Sequence, residues 1–584
     1  MSKKEIKIKG IPASSGIAIG KIFLLDSEEF AITKKKLVDK DIPSEIARFE
    51  DALIQTRSEI LAIQDKISKQ MGSKHGEIFN AHLLVLEDRM LIEEVISSLR
   101  RDKVCVEYIF QRVLEKYAKT FSEINDEYLR ERVADIDDVS KRILRNLLGK
   151  ERETFENLKE PVVIIAYNLS PSETASMHHK SVIGFATDIG GRTSHTAIMA
   201  KSLEIPAVVG LEHVTVEARK GDIAIVDGTH GTVIINPTPT TVKRYKKYKE
   251  EYEESGRILL NMKDLPSVTK DGKKIVISAN IELPEDIPSV LSHGADGIGL
   301  YRTEYFYLNK KGLPTEEEHY QAYKHVAEQM APHSVIIRTL DLGGDKFLSQ
   351  LNTPHEMNPF MGWRAIRFCL ARPDIFKVQL RAILRASAHG NIKMMYPMIS
   401  GIEELRGANE MLDEVRAELT AKKIKFDRDM EVGAMIEIPS AAMTSDILAE
   451  EADFFSIGTN DLIQYALAVD RINEKIAYLY QPAHPAVLRL IKNVIDNGKK
   501  AGIWVGMCGE MAGDPPLALL LLGLGLDEFS MSPIVVPKVK KIIRSVTMKQ
   551  VNEIAENALH LKTAKDVMDY THKKIYEILP NLVL

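Results

Sequence analysis

Apolar and polar residues alternate over residues 6–25, with Gly10, Gly16 and Gly20 interspersed, which predicts short strands punctuated by those glycines. From Ser44 to Gly149 the period changes. Proline is absent, glycine is rare, and apolar residues recur three and four apart, as in Leu83, Leu86, Met90 and in Ile136, Val139, Ile143, Leu147. That spacing predicts a bundle of several helices. Strand-type runs resume at Val162–Ala166, Ser181–Thr187 and Ala207–Val209. They close with Ile223–Val226 and Thr232–Ile235 around Asp227-Gly228-Thr229. The economical arrangement is one α/β domain, residues 1–35 and 150–237, with a helical domain, residues 36–149, inserted after its first strands.

Pro237 and Pro239 are expected to end that domain. Between Thr241 and Arg257 basic residues lead and acidic residues follow, a pattern for a solvated linking helix within residues 238–262. Residues 263–584 alternate strand and helix. Strands are expected at Ile275–Ile281, Gly297–Tyr301, Val335–Thr339, Ile392–Tyr396, Val432–Ile436, Phe454–Gly458, Trp504–Met507 and Glu528–Met531. Strands so spaced by helical segments predict a (β/α)8 barrel, with an open doubly wound sheet as the alternative. The apolar run Pro515–Leu526 is too short for a membrane span and predicts a buried helix.

Composition changes this picture little. At 584 residues the chain calls for several domains, and 45% hydrophobic with 28% charged residues is an ordinary globular balance. A net charge of −5 argues against a dedicated nucleic-acid binder. Cys105, Cys369 and Cys508 have neither metal-type spacing nor an even framework, which fits a reducing cytoplasm. The first residues lack the apolar core of a signal peptide, so a cytoplasmic protein without membrane insertion is expected.

Two stretches carry chemistry. The first is Asp188-Ile189-Gly190-Gly191-Arg192-Thr193-Ser194-His195-Thr196-Ala197, between a strand-type run and an apolar helical segment. Ser194 suits a helix N-cap and His195 the first helical position. The helix dipole there disfavours imidazolium and favours a bound phosphoryl group. The reading is a phosphorylatable histidine, set against an incidental capped histidine.

The second is the set of residues at barrel strand ends, which share one rim. Arg302 and Glu304 follow the second strand, and Arg338, Asp341 and Lys346 the third. Glu437 ends the fifth, Asn460 and Asp461 the sixth, and Cys508 the seventh. Arg302, Arg338, Arg364, Arg471 and Lys346 together match a ligand carrying phosphate and carboxylate. Glu437 and Asp461 are hard oxygen ligands that suit Mg²⁺ completed by substrate and water. Cys508 is either buried packing or a tuned acid.

These segments resemble Enzyme I of the bacterial sugar phosphotransferase system, a family within the phosphoenolpyruvate-utilising enzymes. The matching stretches are Gly190–Ala200, Gly299–Glu304, Arg338–Lys346, Glu437–Ser440, Gly458–Leu462 and Cys508–Gly513, in family order across nearly the whole chain. The resemblance implies that His195 accepts the phosphoryl group on a ring nitrogen and that Thr174 hydrogen-bonds that ring. It implies that Glu437 and Asp461 hold Mg²⁺. Arg302, Arg338, Lys346 and Arg471, helped by Asn460, would grip the substrate, and Cys508 would protonate the enolate to give pyruvate. It further implies the carrier protein HPr as acceptor, docking on the helical insert and the α/β domain, and a homodimer formed through the barrel. A pyruvate phosphate dikinase or phosphoenolpyruvate synthase is a rival reading. It needs a nucleotide-binding domain, and no Walker-type loop precedes His195. A non-catalytic signalling scaffold is the other, and the intact set His195, Arg302, Arg338, Glu437, Asp461 and Cys508 speaks against it.

Overall fold

The computed structural model describes residues 4–25, 32–71, 83, 86, 89–122, 139–149, 160–169, 181–190, 200, 205–308, 313–342, 358–471, 473 and 475–580. The chain divides into two compact units, Met1–Glu254 and Ser255–Leu584.

The first unit contains strands β1 (Ile6–Lys9), β2 (Ile11–Ser14), β3 (Ile17–Leu25), β4 (Val162–Ala166), β5 (Val182–Thr187), β6 (Ala207–Val209), β7 (Ile223–Asp227) and β8 (Thr232–Ile235). They form one mixed sheet in the order β1-β8-β7-β3-β4-β5-β6-β2. β3, β4, β5 and β6 run parallel, while β7, β8, β1 and β2 pair antiparallel at its margins. Gly20 does not break the opening strands as expected but lies inside β3. A Cβ there would sit 2.9 Å from Ile183 Cδ1, so glycine permits a close side-chain approach rather than a turn.

Between β3 and β4 the chain is helical, as the change of period predicts. Helices Ile42–Met71, Arg89–Asp102, Val106–Ser122 and 139–148 are described. Phe49, Val95, Leu99, Ile109, Phe110 and Ile143 form a core of their own, separate from the apolar clusters on the sheet. The linker pattern is a helix, Pro239–Leu260. The last strand of the sheet ends at Ile235 and Pro239 starts this helix, because the first helical position has no N–H partner to lose.

In the second unit β9 (Val276–Ile281), β10 (Gly297–Tyr301), β11 (Ser334–Arg338), β12 (Ile392–Tyr396), β13 (Val432–Ile436), β14 (Phe454–Ile457), β15 (Trp504–Met507) and β16 (Glu528–Met531) close into one parallel barrel. All eight expected strands are present within one residue at each end, and closure excludes the open sheet. Strand alternation sorts the residues. Outward Ile277, Val335, Ala434, Phe455, Val505 and Phe529 pack under the helical shell. An inner apolar layer holds Leu300, Ile336, Met395, Met435, Phe454 and Cys508. Phe454 stacks on Trp504 with ring centres 4.4 Å apart. The apolar run becomes the buried helix Pro515–Leu524, as expected.

Candidate active site

Above the inner apolar layer the barrel opens into a cavity of about 410 Å³. Its polar lining comes from the carboxyl ends of the strands, where a barrel of this type builds its sites. β9 leads to Glu282, β10 to Arg302 and Glu304, and β11 to Arg338 and Asp341. β13 leads to Glu437, β14 to Gly458, Asn460 and Asp461, and β15 to Cys508 and Gly509. Arg364 enters just ahead of the helix Ala365–Ala371, and Arg471 from the loop after the helix Thr459–Leu467. Thus Arg302, Arg338, Arg364, Arg471, Glu437, Asn460, Asp461 and Cys508, named from sequence, line one cavity. His195, Thr174 and Lys346 lie outside the described residues.

Two of the arginines, Arg338 and Arg364, are held in set directions by shielded ion pairs. Arg338 Nη2 lies 2.6 Å from Glu304 and its Nη1 3.0 Å from Asp341. Arg364 Nη2 lies 2.7 Å from Asp341 and 3.3 Å from Asp461. Asp341 therefore bridges two arginines. Burial opposes the Arg338 charge, but Glu304 and Asp341 outweigh it and hold its pKa above the ordinary value. Its Nε is buried without a partner among the described residues, a donor open to a ligand. Arg302 makes a 2.6 Å pair with Glu282 at the solvent edge. Exposed pairs are worth about 0–1 kcal/mol, so Arg302 can exchange Glu282 for a ligand anion at small cost.

Five carboxylates, Glu282, Glu304, Asp341, Glu437 and Asp461, face four arginines in the cavity. The sequence inventory set five cations beside the two acids Glu437 and Asp461, and the cavity adds Glu282, Glu304 and Asp341. Burial, followed by the charges of Asp461 and Asp341, pushes the Glu437 carboxyl up to about 8 against the pull of Arg338 and Arg364. Burial likewise raises Glu304. Carboxylates crowded this far are the donor set a divalent cation relieves. Among the described residues, no three such side chains are placed to cage a metal by themselves. Two carboxylates completed by ligand oxygens and water remain compatible with Mg²⁺.

Local backbone fits these side chains. Met398 adopts a left-handed conformation (φ 56°) just after β12, and its N–H donates to Glu437 Oε1 at 2.6 Å. Ala365, next to Arg364, is also left-handed (φ 51°). Such strain persists only where the surroundings over-determine it. A Cβ on Gly458 would lie 2.7 Å from Glu437 Oε2, so glycine leaves room for that carboxylate. A Cβ on Gly509 would lie 1.8 Å from Thr459 Oγ1, so glycine allows the loop after β15 to close onto the helix after β14. Asn460 Oδ1 then accepts from the Glu510 N–H at 3.0 Å.

Cys508 is part of the buried packing, as one of its two sequence readings expects, and it also reaches the cavity, where the other would need it. It is 4% exposed, belongs to the inner apolar layer and also lines the cavity. Burial pushes its thiol up to about 11, against the pull of Arg338, so it stays protonated near neutrality. That state suits a proton donor and not a nucleophile. Its carbonyl accepts from Asn280 Nδ2 at 2.9 Å.

Sequence reasoning set Glu304 and Asp341 on the rim without giving either a role, and it missed Glu282 altogether. The spacing of Asp341 and Glu304 from Arg338 and Arg302, three residues and two, was the available signal.

Three family models cover most of the chain. They are described as the N-terminal, mobile and PEP-binding domains of PEP-utilising enzymes, and match residues 9–132, 158–231 and 258–548. A phosphoenolpyruvate-protein phosphotransferase of Staphylococcus carnosus is 47% identical over 96% of this chain and 98% of its own. One from Listeria innocua is 47% identical over 97% of this chain and 99% of its own. A solution structure of an Enzyme I protein, 48% identical, covers 42% of this chain and 99% of its own at a TM-score of 0.37. With such identity maintained along both curated relatives and all three domain models present in order, this chain belongs to the phosphoenolpyruvate-protein phosphotransferase family of PEP-utilising enzymes.

Proposed function

We propose that this chain transfers the phosphoryl group of phosphoenolpyruvate to its own His195 and then to a histidine of the carrier protein HPr, releasing pyruvate. One observation carries the reading: paired, oriented arginines converge with crowded carboxylates beside a protonated, buried thiol in a cavity of metabolite size. Arg302, Arg338, Arg364 and Arg471 grip the phosphate and carboxylate oxygens, with Lys346 and Asn460 as further donors. Glu437 and Asp461 hold Mg²⁺, which when bound neutralises charge on the transferring group.

A ring nitrogen of neutral His195 attacks phosphorus in line as the bond to the enol oxygen breaks. The electron pair of that bond leaves with the enolate, and the Cys508 thiol gives its proton to the methylene carbon, yielding pyruvate and a thiolate that solvent reprotonates. Thr174 fixes the ring tautomer and orientation. His195 belongs to the first unit and the cavity to the second, so the histidine-bearing unit must visit the cavity and leave it again. Residues 36–149 are the carrier-binding domain, 238–262 the linker and 263–584 the dimerising barrel. Among the described residues no helix is long and apolar enough to cross a membrane; the cytoplasm is the proposed place of work.

Two outcomes test the barrel side. Cys508→Ala removes a proton donor but no cation. Turnover is expected to drop about 100-fold or more while the KM for phosphoenolpyruvate changes little. A KM rise as large as the loss in kcat would refute the acid role. Gly458→Ala drives a methyl group into Glu437, and about a 10-fold higher Mg²⁺ concentration should be needed for half-maximal rate. An unshifted Mg²⁺ titration would remove Glu437 from the metal site.

A further inference from the structure

Outside the lining of the cavity, a group of fully buried polar side chains has no part in the chemistry above. Gln379 lies on the outer helix Pro373–Ser387 and is 0% exposed, as are Thr303, Tyr323 and His319. Its carbonyl oxygen accepts from the Leu340 N–H at 2.9 Å. Its amide nitrogen donates to Thr303 Oγ1 at 3.0 Å and to the Tyr323 hydroxyl at 3.1 Å. Thr303 Oγ1 in turn donates to the Arg338 carbonyl at 2.9 Å, and Tyr323 pairs with His319 Nδ1 at 2.9 Å. Both amide hydrogens and the carbonyl oxygen of Gln379 are thus engaged. A buried amide is costly unless satisfied in this way.

The targets of these bonds are informative. Thr303 stands between Arg302 and Glu304, while the Arg338 carbonyl and Leu340 N–H flank Thr339. One side chain therefore fastens the loop after β10 to the loop after β11. The Glu304–Arg338 ion pair joins the same two loops on the cavity side. We propose that Gln379 is a positioning residue: it fixes the spacing of Arg302 and Arg338, and so sets how tightly the substrate's oxyanions are held. The inference rests on those arginines gripping phosphoenolpyruvate, as proposed above.

Gln379→Met keeps the volume and deletes all three bonds. In the full-length enzyme the KM for phosphoenolpyruvate is expected to rise about 10-fold or more, because small misplacements of binding groups carry large kinetic costs. The KM for the phosphoryl-accepting protein, which meets the phosphorylated enzyme, should not move. A merely structural role would lower the melting temperature or the active fraction and leave both KM values unchanged. Thr303→Val removes the same bridge with less disturbance and decides the matter if Gln379→Met does not fold. Arg338→Ala, measured alongside, separates the two levels. A near-normal KM there sinks the site assignment and this inference with it. A raised KM there, with unchanged KM in folded Gln379→Met and Thr303→Val, overturns the positioning role alone.

Discussion

His195→Ala is expected to incorporate no phosphoryl group from phosphoenolpyruvate and to transfer none to an acceptor protein, with its melting temperature unchanged. The loss should be complete because in the proposed mechanism the histidine is the covalent carrier, and no other group can replace a nucleophile that bears the intermediate. A neutral imidazole already has its lone pair and needs no activating base, whereas a serine or threonine hydroxyl does. The barrel residues stay intact in this variant, so it should still bind phosphoenolpyruvate. Measuring binding together with labelling separates a missing acceptor from a damaged site. A fully labelled His195→Ala protein would contradict the assignment.

Arg338→Ala should produce the second-largest effect, acting on stability and catalysis together. The guanidinium is paired at 2.6 and 3.0 Å with Glu304 and Asp341, both well shielded from solvent. Removing it strands Glu304 and leaves Asp341 to Arg364 alone, and breaking a buried pair in this way costs about 3–5 kcal/mol. It also removes a preoriented donor to the transferring phosphate, a loss on the order of 100- to 1,000-fold in kcat/KM. Arg338→Lys should recover little, because one ammonium does not reproduce a fork that reaches Glu304 and Asp341 at once. Denaturation midpoints and kcat/KM for the two variants test this. Rates within a few-fold of the parent would place the substrate grip elsewhere.

The barrel was legible because its strands are buried runs bounded by turn residues, and because polar residues such as Glu437, Asp461 and Cys508 stand just past their ends. The helical insertion was legible from one change of hydrophobic period. Gly20 was misread because a glycine marks a local constraint, but only the neighbours reveal whether that constraint is a turn or a close approach. Within the site, residue types announced an anion and a cation, but pairing was invisible. Asp341 reads as one more loop acid until the fold sets it between Arg338 and Arg364. Gln379 was hidden more deeply. It lies among core residues of an outer helix, and only folding brings it to Thr303 and Leu340.

The most direct measurement is incubation of the full-length protein with phosphoenolpyruvate and Mg²⁺, with phosphoprotein and pyruvate quantified together. One phosphoryl group per chain, labile to acid, stable to base, located at His195 and matched by an equal amount of pyruvate, is the expected outcome. An acid-stable phosphoprotein, a label on another residue, or pyruvate released without label would contradict it.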